Sequence, residues 1–341
     1  MKGGLRVDIK NILKNLSNLD GPSGYEHKVI KYIKSEVEKI PNITSYIDNQ
    51  GNLIVKRGGK GKKIALFAHT DEIGFVITKK EFNNYFRFHT FGGIDPKVVI
   101  SQRLRIHTKN GIAYGVVGML EPHLQTEEIR QRVLTFDDLF IDVVENSEYV
   151  SIGDLATFSS EAFELNEKYI AGKALDNRAS CTSLIYTLHL LNQYVVENEV
   201  YFVFSVREED GTSGASTSAY HINPDLAIVL DVTHGDIYRP GYPKIETGKG
   251  PVLDIGPMVD YKYFEKVKNT AEKISVNYQI EPNGEHSHTD TDRIQITREG
   301  IPTLLISIPL RYMHTPYEVV NIRDIEETAR LLSYFIAIGG E

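Results

Sequence analysis

The sequence has a single cysteine, Cys181, and no long apolar run. One cysteine cannot form an internal disulfide, so a reducing compartment fits the chain best. No segment is long and apolar enough to span a bilayer, and the first residues, which include Arg6 and Lys10, lack the apolar core of a signal peptide. We therefore expect a cytoplasmic protein that does not interact with a membrane.

Basic residues are fewer than acidic residues. The 341 residues include 38 Lys and Arg against 46 Asp and Glu, which gives a formal net charge of −8. Because nucleic-acid binding usually requires a basic surface, this balance argues against a nucleic-acid partner. Hydrophobic residues make up 41% of the chain and charged residues 25%, as in ordinary globular proteins. The length favours two domains.

Apolar patterns along the chain predict an α/β domain interrupted by a β domain. Helical spacing over residues 9–19 and 26–40 precedes a continuous apolar run at 63–68, which is typical of a strand buried on both faces. From about residue 73 to 163 the signals are mostly β, including a hairpin at Asn110-Gly111. Alternating helices and strands then return.

We therefore predict a mixed sheet flanked by helices, formed by residues 1–72 and 164–341. Residues 73–163 are predicted to be a small β-rich domain inserted at a surface turn, where insertions are tolerated.

Four predicted strands of the α/β part end in histidine or acidic residues. Open α/β sheets place functional groups just beyond the carboxyl ends of their strands, so these side chains should converge. The residues after the strand ends are His69 and Asp71, then Glu208 and Glu209, then Asp231, and finally His314, while Asp176 begins a predicted helix. A metal site is the leading hypothesis for such a set.

Two divalent ions suit these residues better than one. A pair of ions needs a bridging carboxylate, for which Asp176 is the candidate. We assign His69 and Asp231 to one ion and Glu209 and His314 to the other, with Asp176 shared between them. Nitrogen and oxygen ligands without a thiolate suit Zn or Co, and also Mn.

Two further acids have predicted roles beside the ligands. Glu208 adjoins Glu209, and neighbouring residues in regular strand geometry point in opposite directions. We therefore predict that Glu208 takes a proton from the attacking water and gives it to the leaving amine. Asp71 lies two residues after His69 and is predicted to accept the free imidazole N–H.

Six motifs occur in an order that resembles a known family. They are Gly21-Pro22-Ser23-Gly24-Tyr25-Glu26, Gly51-Asn52, Ala68-His69-Thr70-Asp71-Glu72-Ile73-Gly74, Leu175-Asp176-Asn177-Arg178, Glu208-Glu209-Asp210-Gly211-Thr212-Ser213-Gly214 and Arg311-Tyr312-Met313-His314-Thr315-Pro316. The ordered set closely resembles the TET-type dinuclear metallo-aminopeptidases, a group that includes glutamyl aminopeptidases and proteins labelled cellulase M. The resemblance covers nearly the whole chain.

This resemblance carries implications for the site and for the assembly. It implies that the metal ligands are His69, Asp176, Glu209, Asp231 and His314, that Glu208 is the catalytic glutamate and that Asp71 orients the histidine. It also implies a PDZ-like inserted domain that mediates dimers, and dimers that assemble into a hollow tetrahedral dodecamer. Such a cage would admit peptides and exclude folded proteins.

One segment departs from the family pattern. Where the family usually has Gly-Thr-Asp-Ala, this chain has the bulkier His288-Thr289-Asp290-Thr291. Because that segment lies near the substrate pocket in the family, we assign His288, Asp290, Arg293 and Arg311 to the pocket. His286 is read with His288 as a polar loop rather than an accessory metal site. Arg293 and Lys249 would favour acidic substrates, but the preferred side chain stays open.

The sequence thus predicts an aminopeptidase that hydrolyses N-terminal residues of peptides with a two-metal centre. An N-acyl amidohydrolase is the nearest alternative, since the same ions could cleave a blocked amide. A glycoside hydrolase is suggested only by the cellulase label, and sugar cleavage needs two carboxylates flanking the bond, usually without metal. A non-catalytic cage scaffold is a third alternative, although such proteins normally lack a ligand or the base.

Overall fold

The computed structural model describes residues 7–284 and 286–339. Within these residues, eleven strands form one mixed sheet and six strands close into a barrel. The first six residues, Glu285 and the last two residues fall in the predicted domain at 1–72 and 164–341, but they lie outside the described residues. The sequence prediction of a mixed sheet with helices and a separate β-rich unit is confirmed at this level.

The strands in chain order are β1 (Ile43–Ile47), β2 (Leu53–Arg57), β3 (Lys63–His69), β4 (Gly74–Lys80), β5 (Tyr85–Phe91), β6 (Arg103–Thr108), β7 (Gly111–Met119), β8 (Leu139–Asp142), β9 (Leu155–Phe158), β10 (Phe163–Glu164), β11 (Tyr169–Gly172), β12 (Glu199–Ser205), β13 (Leu226–His234), β14 (Val252–Ile255), β15 (Gln279–Pro282), β16 (Thr303–Arg311) and β17 (Glu318–Asn321).

The helices in chain order are α1 (Ile9–Asn18), α2 (His27–Val37), α3 (Pro96–Val99), α4 (Glu127–Gln131), α5 (Leu175–Leu190), α6 (Ser213–Ile222), α7 (Tyr261–Lys273), α8 (Thr291–Ile294) and α9 (Ile322–Tyr334). Of the helices in the described part of the chain, none has the length and apolar character needed to cross a membrane.

The large sheet has helices on both faces. Its main path runs β1-β2-β12-β3-β13-β16-β17-β11-β10, and β14 and β15 extend it from β16. Strands β12, β3, β13 and β16 are parallel neighbours. Leu66 of β3 belongs to the same apolar cluster as Leu184 of α5, whereas Phe67 packs in a second cluster with Ala215 of α6. Burial on both faces explains the continuous apolar runs.

The barrel has a hydrophobic core of its own. Its strand order is β4-β5-β8-β7-β6-β9, and the β6–β7 hairpin turns at Asn110 as predicted, with Thr108 paired to Gly111. The ring of Phe75 makes edge contacts with Phe88 and Phe158, at centroid distances of 5.4 and 5.2 Å. All barrel strands lie between residues 74 and 158, and β10, at residues 163–164, already belongs to the large sheet.

Several elements have no counterpart in the sequence prediction, including α6, α7, β14 and β15. Helix α6 consists mainly of small residues and shows little of the apolar periodicity on which helix prediction depends. Small residues are required there because a Cβ at Gly214 would lie 2.2 Å from the carbonyl oxygen of Val206. The four-residue strands β14 and β15 are too short for a pattern.

A buried ion pair joins the segment that enters the barrel to the segment that follows β11 of the large sheet. Glu72 precedes β4, and Lys173 follows β11. The Lys173 ammonium donates to both carboxylate oxygens of Glu72, at 2.7 and 2.6 Å. The Asp20 carboxylate lies 3.2 Å from the same ammonium and accepts a hydrogen bond from Arg105 of β6 at 2.7 Å. These charges hold the barrel against the sheet.

Replacing Lys173 with methionine is expected to destabilise the protein strongly. The change leaves the buried Glu72 carboxylate without its closest cation, which typically costs about 3–5 kcal/mol. For a chain of this size we expect the melting temperature to fall by roughly 10 °C. Calorimetry on Lys173→Met, beside the exposed control Lys168→Met, measures the effect, and equal melting temperatures would contradict it.

Candidate metal centre

The predicted ligands meet at one edge of the large sheet. His69 is the last residue of β3, and Glu208 and Glu209 lie in the turn after β12. Asp231 lies inside β13 rather than beyond its end, because that strand continues to His234. His314 follows β16. Parallel strands bring these carboxyl-terminal segments side by side.

Asp176 lies between the two histidines. Its Oδ1 atom is 3.2 Å from His69 Nε2, and its Oδ2 atom is 3.2 Å from His314 Nε2. Asp231 Oδ1 lies 3.8 Å from His69 Nε2, and Glu209 Oε1 lies 3.4 Å from His314 Nε2. The arrangement forms two groups that share one carboxylate, and the ligand atoms of each group lie within 4.8 Å of one another.

The donor atoms of these groups fit a divalent metal ion. Imidazole nitrogens and carboxylate oxygens are the ligands that Zn, Co and Mn accept in proteins. The buried Asp176 Oδ1 faces His69 Nε2 at 3.2 Å, so these two atoms are placed to bind one cation together. Among the described residues, a third group joins His69 to Glu208 and Glu209.

Buried charges in this cluster shift one another's pKa values. Burial raises the pKa of Glu208 and of Asp231 well above their usual values, and neighbouring carboxylates add to the rise. Burial alone would lower the pKa of His69, but hydrogen bonding to Asp176 and further acids raises it well above its usual value. Burial also lowers the pKa of His314, but hydrogen bonds to Asp176 and Glu209 outweigh this effect and raise the pKa to about 12. Metal binding would displace these protons.

Asp71 is held by the turn that carries the two glutamates. Its carboxylate accepts the backbone N–H of Glu208 at 3.0 Å and that of Glu209 at 3.1 Å. The Ser23 hydroxyl donates to it at 2.6 Å. Asp71 Oδ1 lies 3.4 Å from His69 Nδ1, so it faces the side of the imidazole that points away from the ligand cluster.

Strand alternation is the wrong explanation for the separate directions of Glu208 and Glu209. Strand β12 ends at Ser205, and Arg207 has a φ of 57°, in the left-handed region. Both glutamates therefore lie in a turn. Glu208 Oε2 is 3.9 Å from His69 Nε2, whereas Glu209 approaches His314 on the other side of the cluster.

Two residues that hold the ligands were not predicted from the sequence. The buried carboxylate of Glu318 accepts the backbone N–H of Asp176 at 3.0 Å and that of His314 at 2.8 Å. The carbonyl of Gly93, in the barrel segment, lies 2.8 Å from His314 Nδ1. A carbonyl only accepts, so Nδ1 carries the proton and Nε2 is left to face the acids.

The glycine pair Gly92-Gly93 was the available sequence signal for this contact. A Cβ at Gly92 would lie 2.9 Å from Glu209 Oε2, and a Cβ at Gly93 would lie 3.1 Å from His314 Nδ1. Glycine therefore allows the barrel segment to approach the ligands closely. Glu318 had no comparable signal, because it lies in a short strand outside the motifs.

A cavity of about 370 Å³ lies beside the ligand cluster. Its wall includes all five predicted ligands, Glu208, and residues of β13, β14, β15 and β16. Of the residues predicted for the pocket, His288 lines the cavity, and so does His286.

The other residues predicted for the pocket do not line this cavity. Asp290 is buried and accepts a hydrogen bond from the Ser205 hydroxyl at 2.9 Å. Arg293 is exposed. Arg311 donates to Asp236 at 2.6 Å, which directs its guanidinium elsewhere.

Comparisons with known proteins extend over most of the chain. A family model described as M42 glutamyl aminopeptidase matches residues 51–331. The lysyl aminopeptidase of Pyrococcus furiosus is 33% identical over 328 residues, which cover 94% of each chain.

Solved structures share the same fold. The TET aminopeptidase of a marine sediment archaeon of the Thaumarchaeota has a TM-score of 0.91 at 28% identity, covering 97% of this chain and 96% of its own. The TET1 peptidase of Pyrococcus horikoshii, which can assemble into a tetrahedron or a large octahedral shell, has a TM-score of 0.86 at 30% identity. The match covers 97% of this chain and 100% of that one.

Metal content should depend most strongly on Asp176. Because its two oxygens face different histidines, Asp176→Asn is expected to abolish binding of both ions, whereas Glu209→Gln should lower the content from two ions per chain towards one. Elemental analysis after dialysis against a metal buffer measures this content. Asp210→Asn, an exposed acid in the same turn, is the control and should keep two ions. Two ions retained by Asp176→Asn would contradict the shared carboxylate.

Proposed function

The chain belongs to the M42 glutamyl aminopeptidase family and is a peptidase, and we propose that it removes N-terminal residues from peptides with a dinuclear metal centre. The proposed ligands are His69, Asp176, Glu209, Asp231 and His314. The observation that supports this proposal most is the position of Asp176, whose two oxygens face the two histidines beside a cavity.

Zinc or cobalt would suit these ligands, with manganese as a further candidate. When bound, two such ions would polarise the scissile carbonyl and lower the pKa of a bound water. The chain's own residues would bind the substrate, orient the ligands and move the proton.

We assign proton transfer to Glu208. Its carboxylate lines the cavity and lies beside His69, outside the two ligand groups that share Asp176. Burial raises the pKa of Glu208 well above its usual value, which makes its carboxylate a stronger proton acceptor. It would take that proton from the attacking water and give it to the nitrogen of the departing peptide.

Asp71 and Gly93 are proposed to fix the two imidazoles. Each faces the Nδ1 atom of one histidine, Asp71 at His69 and the Gly93 carbonyl at His314. With each Nδ1 facing one of these acceptors, Nε2 is the atom that points at the carboxylates. Such outer contacts set the tautomer and the ring orientation of a ligand histidine.

We also propose that the barrel is a PDZ-like module that forms dimers, and that these dimers build a closed homo-oligomer such as a dodecamer. The P. horikoshii relative, solved as a dodecamer, supports this assembly. On β7, the alternate residues Ile112, Tyr114 and Val116 point away from the barrel core and are exposed. Such an apolar stripe on a barrel surface is typical of an interaction site.

The alternative functions gain no support from the site. The family match argues against a glycoside hydrolase. All five proposed ligands and Glu208 are present, which argues against a scaffold that has lost its chemistry. Cleavage of a blocked amide is tested by including an N-acetylated peptide in the assay below.

Glu208→Gln is expected to bind two ions and to lose nearly all turnover. Glutamine keeps the shape of the side chain but cannot take up the proton, and general acid–base catalysis typically contributes about 10²–10⁴-fold. Hydrolysis of aminoacyl p-nitroanilides with Zn, Co or Mn measures the loss, beside Asp210→Asn as a control in the same turn. If Glu208→Gln hydrolysed the anilides at the parent rate, another group would be the base.

A further inference from the structure

We propose that the cavity selects peptides with a basic N-terminal side chain, and that Asp254 and Glu281 are the selecting groups. The inference rests on the proposed aminopeptidase function and names the substrate class of the same cavity. Both carboxylates line the cavity, with exposures of 2% and 3%.

The sheet places these two acids side by side. Asp254 of β14 and Glu281 of β15 are direct partners in the parallel pairing of the two strands. Partners in adjacent strands project to the same face of a sheet. The two carboxylates therefore form one acidic patch in the cavity wall.

The patch lies at a suitable distance from the proposed metal ligands. Strand β14 is two strands from β13, which carries Asp231. Since neighbouring strands are about 4.8 Å apart, the separation is on the order of 10 Å. Asp231 pairs with Ser307 of β16, and the Ser307 hydroxyl donates to Asp254 at 2.8 Å. A substrate residue held at the ligands would have to extend a long side chain to reach Asp254.

The patch carries more negative charge than its neighbours neutralise. Glu281 pairs with Arg239 and accepts a hydrogen bond from the Thr233 hydroxyl at 2.6 Å. Asp254 accepts only from neutral groups, Ser307 and the Asn283 amide at 2.6 Å. Arg239 also acts electrostatically on Asp254, but within the described part of the chain its ion-pair partner is Glu281. Two carboxylates thus share one guanidinium.

A buried carboxylate without a cation is costly, and a substrate ammonium or guanidinium would supply the missing charge. Burial and the neighbouring Glu281 raise the pKa of Asp254 well above its usual value, in agreement with a deficit of positive charge. Leu305 and Met313 also line the cavity and can contact the methylene groups of a lysine side chain.

The cavity is less suited to an acidic substrate side chain. Among the described residues, the one arginine in the cavity wall, Arg239, already pairs with Glu281, and its guanidinium stacks on the ring of Tyr242 at 4.3 Å. Arg293 and Lys249, which suggested acidic substrates at the level of sequence, do not line the cavity. These two residues therefore give no support for acidic substrates in this cavity.

Kinetics on lysyl, arginyl, leucyl and glutamyl p-nitroanilides test the proposal. The parent enzyme should have its highest kcat/KM on the two basic substrates. Asp254→Asn should lower kcat/KM for the lysyl substrate by roughly 10- to 100-fold, the usual effect of losing a hydrogen bond to a charged group. The leucyl substrate should change less than about threefold, and Glu299→Gln, an exposed acid outside the cavity, should change neither.

Three results would contradict the proposed preference for basic side chains. They are a parent preference for leucyl or glutamyl substrate, an equal loss on lysyl and leucyl substrates in Asp254→Asn, and no hydrolysis of any anilide. The second result would assign Asp254 to the α-amino group or to structure. The third would reject the proposed function itself, so the two failures are distinguishable.

A second variant covers the case in which Asp254→Asn folds poorly. Arg239→Gln removes the one cation of the patch, so the lysyl-to-leucyl ratio of kcat/KM should rise. If Arg239 instead recognised acidic substrates, glutamyl turnover would fall selectively and the proposal would be wrong. Melting temperature and metal content are measured for each variant, so that a folding defect is separated from altered selectivity.

Discussion

Repulsion among buried carboxylates is the constraint on which the rest of this structure depends. Asp176, Glu208, Glu209 and Asp231 meet around two imidazoles, where charges interact strongly because water is excluded. Such a cluster persists only if its members are held in place by other contacts and neutralised. Backbone N–H groups supply the first requirement, since Asp71 and the separate acid Glu318 accept from the segments that carry the cluster. The divalent ions that we propose would supply the second.

Sheet and barrel both contribute to this site. The sheet supplies four chain segments that meet at the carboxyl ends of its parallel strands, and Lys173, after β11 of the sheet, pairs with Glu72 in the segment that enters the barrel. The barrel in turn supplies the carbonyl of Gly93, which contacts His314. The proposed assembly module therefore also positions a proposed ligand. A displacement of the barrel would therefore move His314, because the Gly93 carbonyl is hydrogen-bonded to its imidazole.

Negative charge serves two purposes in the cavity. At one end, carboxylates combine with imidazoles in an arrangement that suits metal ions. At the other end, the two carboxylates of Asp254 and Glu281 have one neighbouring arginine, Arg239, and are proposed to attract a basic side chain. Both ends lie on one continuous sheet, because β16 pairs with β13, which carries Asp231, and with β14, which carries Asp254. We propose that one surface binds the reacting amide and also recognises the N-terminal side chain of the substrate.

The sequence by itself determined the features that depend on local pattern. Apolar runs predicted the buried strands, Asn110-Gly111 predicted the hairpin, and the residues after the strand ends indicated the candidate ligands. Tertiary structure alone decided which distant groups touch them. Gly93 and Glu318 are distant in the chain from Asp176 and contact the candidate ligands. Asp254 and Glu281 come together in the cavity wall through the pairing of β14 with β15. The same pairing leaves Arg311 outside, because its partner is Asp236. Local periodicity carries no information about such long-range contacts.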